Sequence, residues 1–112
     1  MENPKFQIFK GKDDQFYFRL HAANGENILK SEGYKVKASA ENGIESVKTN
    51  AADDARFDKK DSDNEKVFFT LKAKNGEVIG MSQMYSSKEA RDKGIHAVMN
   101  VAPNAPVEDT AN

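Results

Sequence analysis

The chain has 112 residues, a formal net charge of -1, 38% hydrophobic and 31% charged residues, and no cysteine. This length fits one compact domain, and the near-zero charge gives no overall attraction to nucleic acid or to an anionic membrane. Without cysteine there is neither a disulfide framework nor a thiolate metal site, which is typical of a cytoplasmic protein. No stretch is long and apolar enough to span a membrane, and residues 1–4 do not open a signal peptide.

Three strands are predicted first along the chain. Residues 6–10 alternate between the two faces of a short strand. Residues 16–22 direct Phe and Leu side chains one way and Tyr, Arg and His side chains the other, which is the period of a half-buried strand. Asn24-Gly25 predicts a two-residue hairpin turn, because this pair readily adopts the positive φ that such turns need. Residues 27–31 then form the partner strand.

A helix is predicted next. Its apolar residues recur at spacings of 4, 4, 3 and 4: Val36, Ala40, Ile44, Val47 and Ala51. This stripe favours one helix over about residues 36–50, with Gly43 inside it at a cost of about 1 kcal/mol relative to Ala. The alternative is a short helix that ends at Gly43 followed by a strand, but that strand would put Ile44 and Val47 on opposite faces. The internal glycine suggests that a neighbouring backbone approaches closely.

The whole unit then occurs a second time, at an offset of 51 residues. The matching positions include the hairpin Ala22, Asn24, Gly25, Glu26 and Ile28 with Ala73, Asn75, Gly76, Glu77 and Ile79. Strands are predicted at 56–60, 66–73 and 77–82, and a helix at 87–101 in which Ser86 and Glu89 form a capping box. Residues 103–112 are a short polar tail in which Val107 allows a final short strand.

These elements predict an α+β fold. Residues 1–112 form a single domain of two pseudo-symmetric β-β-β-α repeats, about 5–51 and 56–102, with an antiparallel sheet and the two helices on one face. The internal two-fold pseudo-symmetry favours a monomer over an obligate oligomer.

The duplicated A-x-N-G-E-x-I hairpin, the following Ser…Tyr and the Gly-Ile-x-x-Val helix resemble the YegP-like family over about residues 5–110. This family consists of small, mainly bacterial proteins of unknown function. The resemblance implies two β-β-β-α units that share their sheets, with terminal strands exchanged between halves in some arrangements. It implies no activity, ligand or catalytic residue. The two units differ where Gly80-Met81 replaces Leu29-Lys30, so a symmetric site would survive in only one half.

No catalytic, metal or cofactor site is predicted. His21 and His96 do not recur at matching positions, and no carboxylate lies at ligand spacing beside either of them. Residues 61–65 resemble the start of a calcium loop, but lysines occupy the positions that require Gly and Glu. An enzyme would have to use carboxylates, Lys or Tyr, and the least implausible of these are the recurring Glu26 and Tyr34, with Glu77 and Tyr85. A simpler interpretation is that Glu favours the turn exit and that Tyr anchors the helix with its hydroxyl in water.

The outward face of the central strands carries the candidate binding site: Tyr17, Arg19, Phe68 and Lys72, extended by Phe9 and the neighbours of Lys30. Aromatic side chains interleaved with cations on a sheet can stack single-stranded bases and hold phosphates. Such residues also stabilise a sheet without any ligand. The sequence therefore favours a non-enzymatic interaction module whose partner, another protein or a nucleic acid, these residues do not identify. The alternative is weak binding of single-stranded nucleic acid through this face.

Overall fold

The computed structural model describes residues 2–111, which form seven strands and two α-helices. The elements of the first repeat are β1 (Lys5–Lys10), β2 (Phe16–His21), β3 (Asn27–Lys30) and α1 (Lys37–Asn50). Those of the second are β4 (Phe57–Asp61), β5 (Val67–Lys72), β6 (Val78–Met81) and α2 (Lys88–Val101), and a last strand, β7 (Val107–Asp109), follows. The predicted elements are confirmed, because alternation and helical spacing are local signals that burial on one face reinforces.

All seven strands belong to one sheet in the order β4-β5-β6-β3-β2-β1-β7. Neighbouring strands are antiparallel except β7, which is parallel to β1, so the sheet is mixed rather than antiparallel throughout. Within residues 2–111, β3 and β6 pair through Lys30 and Met81 alone. These two residues are equivalent by the 51-residue offset, so the pseudo-two-fold axis passes between them. The α+β class with two β-β-β-α repeats is confirmed.

The polar tail predicted at the C-terminus contains the strand that Val107 allows. The amide of Phe6 donates to the Pro106 carbonyl at 2.8 Å, and the Thr110 amide donates to the Ile8 carbonyl at 2.9 Å. Two ion pairs of 2.8 Å reinforce this edge, Lys5 with Glu108 and Lys37 with Asp109. Strand β7 therefore lies beside β1, the first strand of the first repeat, at the edge of the sheet opposite β4.

Both helices lie on one face of the sheet and each covers strands of both repeats. Helix α1 contacts β2 and β6, and α2 contacts β5 and β3. The inward residues predicted from the alternation are buried apart from Phe16, which is half-buried. The largest fully buried side chains are Phe6, Ile8, Phe18, Leu20, Leu29, Ile44, Phe69, Leu71 and Ile95. Burying each such side chain contributes about 1.5–3 kcal/mol.

The hairpin turns differ from the predicted two-residue form. The Gly25 amide donates to the Ala22 carbonyl at 2.9 Å, and the Ala22 amide donates to the Glu26 carbonyl at 2.9 Å. Only Gly25 has positive φ, 85°, while the Asn24 side chain accepts from the Glu26 amide at 3.0 Å. This is a type I turn followed by a glycine bulge. A separate register shift lies further along the hairpin, where His21 pairs with Asn27 but Leu20 pairs with Leu29. The second hairpin is built in the same way around Gly76.

The helix starts also differ in detail from the predictions. Ser87 caps α2, with its hydroxyl accepting from the Ala90 amide at 3.1 Å, so the capping box predicted at Ser86 is wrong by one residue. Helix α2 begins at Lys88, so Ser87 is the residue that directly precedes the first turn, and Ser86 lies one residue too early to cap it. Val36 caps α1 without a side-chain hydrogen bond and is 55% exposed, so it does not extend the apolar stripe.

The glycines inside the helices face aromatic side chains. The prediction that a neighbouring backbone approaches them is therefore wrong. A Cβ at Gly43 would lie 2.8 Å from Cε2 of Phe18 and 2.9 Å from the Tyr34 hydroxyl. A Cβ at Gly94 would overlap the Tyr85 hydroxyl and lie 2.7 Å from Cζ of its ring. Each tyrosine ring stacks on the phenylalanine of the central strand in its own repeat. The recurrence of glycine is therefore explained by a tyrosine that fills the gap between helix and sheet.

Candidate functional site

The helix-free face of the sheet carries the four residues that the sequence singles out. Tyr17 and Arg19 lie on β2, and Phe68 and Lys72 on β5, all directed away from the helices because their neighbours Phe18, Leu20, Phe69 and Leu71 are in the core. Strands β3 and β6 separate the two pairs. With about 4.8 Å between strands, the pairs lie about 14 Å apart. They therefore form two groups rather than one cluster.

The first group is built around Phe9 on β1. The rings of Phe9 and Tyr17 stack with centroids 5.6 Å apart, and the Arg19 guanidinium carbon lies 4.2 Å from the Phe9 centroid. Arg19 Nε donates to Gln7 Oε1 at 2.9 Å, which fixes the plane of the guanidinium group. Tyr17 donates to Asp13, so the hydrogen bond lowers the pKa of the Asp13 carboxyl and raises the pKa of the Tyr17 phenol. This group presents a rigid flat cation over an aromatic ring.

The second group is less suited to binding an anion. Lys72 Nζ already pairs with Asp58 Oδ2 at 2.8 Å. Thr70, which lies between Phe68 and Lys72, is only 5% exposed, and its hydroxyl has no hydrogen-bond partner among residues 2–111. Phe68 is half-buried. The charge of Lys72 is therefore balanced, and this half of the face offers no stacked cation.

A groove of about 460 Å³ opens beside the first group, where the two repeats meet. This first groove is lined by Phe9, Arg19, Asn27, Leu29, Lys30, Met81 and Gln83. It contains two cations and no Asp or Glu within the described chain. Neither Arg19 nor Lys30 has an ion pair among residues 2–111. Glu26, which is outside the lining, accepts a hydrogen bond from Gln83.

Residues from both repeats form this groove, which explains why sequence reasoning found only part of it. Phe9 and the surroundings of Lys30 were expected near the face, but Met81 and Gln83 were not singled out. Their place depends on the single pairing of β3 with β6. No local pattern encodes that pairing, because the two strands are 51 residues apart and belong to different hairpins.

The recurring Glu and Tyr residues pair across the repeats, not within them. Burial is the main cause that raises the pKa of Tyr85, and the Glu26 charge raises it further. Burial likewise raises the pKa of Tyr34, followed by the charges of Glu32 and Glu77. The Tyr85 hydroxyl is buried without a hydrogen-bond partner among residues 2–111, so the expectation of a wet phenol is wrong for this residue. Both phenols are held in the protonated form.

Two equivalent serines position the residues next to these tyrosines. Ser31 Oγ accepts from the Phe18 amide at 2.9 Å and donates to the Glu32 carbonyl at 2.8 Å. Ser82 Oγ makes the same two contacts, with the Phe69 amide at 3.0 Å and the Gln83 carbonyl at 2.7 Å. Each hydroxyl satisfies a strand amide where the sheet ladder stops, and so fixes where Glu32 or Gln83 leaves the sheet.

The histidines lie apart from this groove. His21 Nδ1 is 3.2 Å from the Gly25 carbonyl oxygen, and His96 is exposed on α2. Within residues 2–111, no three His, Asp or Glu side chains are grouped so that they could hold a metal ion. Neither of the helices described is both long enough and apolar enough to cross a membrane.

The sequence pattern that defines a domain of unknown function, DUF1508, matches residues 12–58 and again residues 62–109. The chain belongs to this family. The first match contains β2, β3 and α1, and the second contains β5, β6, α2 and β7. The resemblance to YegP-like proteins is thereby confirmed, since the UPF0339 protein YegP of Shigella flexneri is 46% identical over 104 residues, 93% of this chain and 94% of that protein.

Other relatives of this DUF1508 protein are similar over nearly their whole length. The UPF0339 protein from the ptx operon 5' region of Stutzerimonas stutzeri is 52% identical over 107 residues, 96% of each chain. The NMR structure of a UPF0339 protein from Shewanella oneidensis has 48% identity and a TM-score of 0.90, covering 96% of this chain and 91% of that one. The NMR structure of yegP from E. coli, a protein of unknown function, has 42% identity and a TM-score of 0.93, covering 100% and 97%.

Proposed function

We propose that this DUF1508 protein is a non-enzymatic binding module that acts through the first groove. The observation that carries the proposal is the pair of cations, Arg19 and Lys30, in a groove with no acidic lining residue. Cations that make no ion pair attract anionic ligands at a surface and strengthen their hydrogen bonds. The groove volume of about 460 Å³ lies within the range of small-ligand sites.

The ligand that best fits this chemistry is a short segment of single-stranded nucleic acid. The Arg19 guanidinium already stacks on Phe9 at 4.2 Å, so its outer face is a flat cation on which a base can stack. Lys30 lies directly across from Arg19 in the β2–β3 register and supplies a second charge for the phosphate. Because the net charge of the chain is -1, we expect weak binding without long-range attraction.

Two features support a binding role over catalysis. A phenol is protonated at neutral pH, and burial raises the pKa of Tyr34 and Tyr85 further, so neither side chain is available as a general base. Glu26 and Tyr34 of the first repeat also do not act as a pair, since Glu26 accepts a hydrogen bond from Gln83 of the other repeat.

The test is a two-dimensional amide NMR titration with a short mixed-sequence single-stranded oligonucleotide. We expect fast-exchange shifts at residues 9, 19, 27, 30 and 83, and binding that weakens with salt. If two phosphates are neutralised, the slope of log K against log salt should be about -1.4. Arg19→Ala and Lys30→Ala should each remove about half of that slope.

Lys72→Ala is the matched control, because Lys72 lies on the same face but is paired with Asp58. This variant should bind as tightly as the wild type. An equal loss on Lys72→Ala and Lys30→Ala would contradict the placement of the site in the first groove. A spectrum with no shifts would exclude the nucleic-acid ligand, and the search would move to protein partners.

A further inference from the structure

The pseudo-two-fold axis produces two grooves, one on each side of the Lys30–Met81 pair. The second groove, of about 190 Å³, is lined by Lys30, Ser31, Glu32, Val78, Gly80 and Met81. Adding 51 to Asn27 and Leu29 of the first groove gives Val78 and Gly80 of the second, and subtracting 51 from Gln83 gives Glu32. The backbone therefore offers the same site twice.

The side chains make the two sites different. The residues equivalent to Phe9 and Arg19 are Lys60 and Thr70, so the second half has no cation stacked on an aromatic ring. Glu32 replaces Gln83 and adds a carboxylate to the lining. Lys30, which lines both grooves, is thus accompanied by a second cation in the first groove and opposed by an anion in the second.

Packing at the axis contributes to the same asymmetry. A Cβ at Gly80 would lie 2.7 Å from Cγ and Cδ2 of Leu29, so the Leu29 side chain occupies the space that a side chain at Gly80 would need. Two equivalent leucines cannot both fit there. The structure thereby requires unlike residues on the two sides of the axis.

We infer, on the basis of the proposed function, that the protein binds one single-stranded nucleic-acid segment per chain although its backbone provides two equivalent grooves. The stacked Phe9–Arg19 pair together with Lys30 makes the first groove competent. The second groove is incompetent because Glu32 adds a carboxylate to its lining. The positions equivalent to Phe9 and Arg19 are also occupied by Lys60 and Thr70. The site is therefore composite, because it needs Phe9, Arg19 and Lys30 of the first repeat and Met81 and Gln83 of the second.

The first experiment maps the oligonucleotide titration of the wild-type protein onto both grooves. We expect a stoichiometry of one and shifts around residues 9, 19 and 83, without matching shifts around residues 60, 70 and 32. Equal shifts in both halves, or a stoichiometry of two, would overturn this inference and leave the proposed function intact. The absence of any shift would overturn both.

The second experiment transfers the first groove to the other half with K60F/T70R/E32Q. We expect a second set of shifts around residues 60 and 70 and a stoichiometry of two. The reciprocal variant F9K/R19T should bind the oligonucleotide about tenfold more weakly, because it loses the stacked cation, and should show no shifts in the second groove. A well-dispersed spectrum of the triple variant with a stoichiometry of one would overturn the inference. If the triple variant does not fold, the wild-type map and F9K/R19T still decide the question.

Discussion

Helix α2 has no room for a side chain at Gly94, because the phenol of Tyr85 lies against the helix at this position. The ring of Tyr85 is stacked on Phe69 with centroids 6.3 Å apart and an angle of 12°. Phe69 is completely buried, so the stack has little freedom to move. Gly43 occupies the equivalent place beside Tyr34, with less overlap. One residue type is thus required twice for the same steric reason.

Gly94→Ala should lower the free energy of unfolding by about 1–2 kcal/mol. The new methyl group would overlap the Tyr85 hydroxyl, so its cost falls in the upper part of the overpacking range, about 2–3 kcal/mol. The gain in helix propensity is only about 1 kcal/mol. Gly43→Ala is the matched control and should lose less, since its closest contacts would be 2.8 and 2.9 Å. Urea denaturation measures both variants. A Gly94→Ala protein at least as stable as the wild type would contradict the steric explanation.

At the scale of the element, β7 is a short strand whose position depends on side chains as well as on its backbone. Glu108 accepts from Lys5 Nζ at 2.8 Å and from Gln7 Nε2 at 3.3 Å. The pKa of Glu108 is lowered from 4.5 to about 2, and the contact with Lys5 is the largest of several causes, which also include the contact with Gln7. The opposite edge, β4, carries Asp58, Lys59, Lys60 and Asp61 and is protected by those charges against pairing with other strands.

Acid should weaken the attachment of β7. A carboxyl whose pKa is lower in the folded state stabilises the fold above the unfolded pKa, and this contribution disappears as the pH falls. For Glu108 the window runs from about pH 4.5 down to about pH 2. Glu108→Gln should therefore be less stable than the wild type at neutral pH, and the difference should shrink across that window. Urea denaturation at several pH values measures it, and a difference that stays constant would contradict the assignment.

At the scale of the whole molecule, the two repeats complete each other. The β3–β6 junction has one residue pair within the described chain, so the sheet alone joins the halves weakly. The helices supply the rest, because α1 reaches β6 and α2 reaches β3. Strand β7 returns from the end of the second repeat to β1 of the first. Burial of the common core therefore depends on both halves.

A fragment of residues 1–52 should be unfolded as a monomer. It would lose β7 beside β1 and the strands β5 and β6 that α1 contacts, and so leave much of the apolar face of α1 in water. Domains of this size bury too little surface to be stable alone without such help. Circular dichroism and sedimentation measure the outcome against the full chain. A cooperative melting transition of a monomeric fragment would show that the repeats are independent.

Much of the fold was predictable from particular residues. Phe18 and Leu20 alternate with Tyr17 and Arg19, which identified β2 and both of its faces. The stripe from Ala40 to Val47 identified α1, and the 51-residue offset transferred each prediction to the second repeat. Alternation also predicted that Tyr17, Arg19, Phe68 and Lys72 share one face of the sheet. It did not predict that these residues form two separate groups, because alternation does not show how many strands lie between β2 and β5.

The sequence by itself determined the strands, the helices, the duplication and the residues of each face, because these depend on periodicities and turns within a few residues. Only the tertiary structure decided the remaining features. These are the Lys30–Met81 junction, the pairing of β7 with β1, the effect of the Glu26 charge on Tyr85 of the other repeat, and the Tyr85–Gly94 contact. Each brings together residues from separate elements, and the shape and charge of the surfaces that meet, rather than any local pattern, select those contacts.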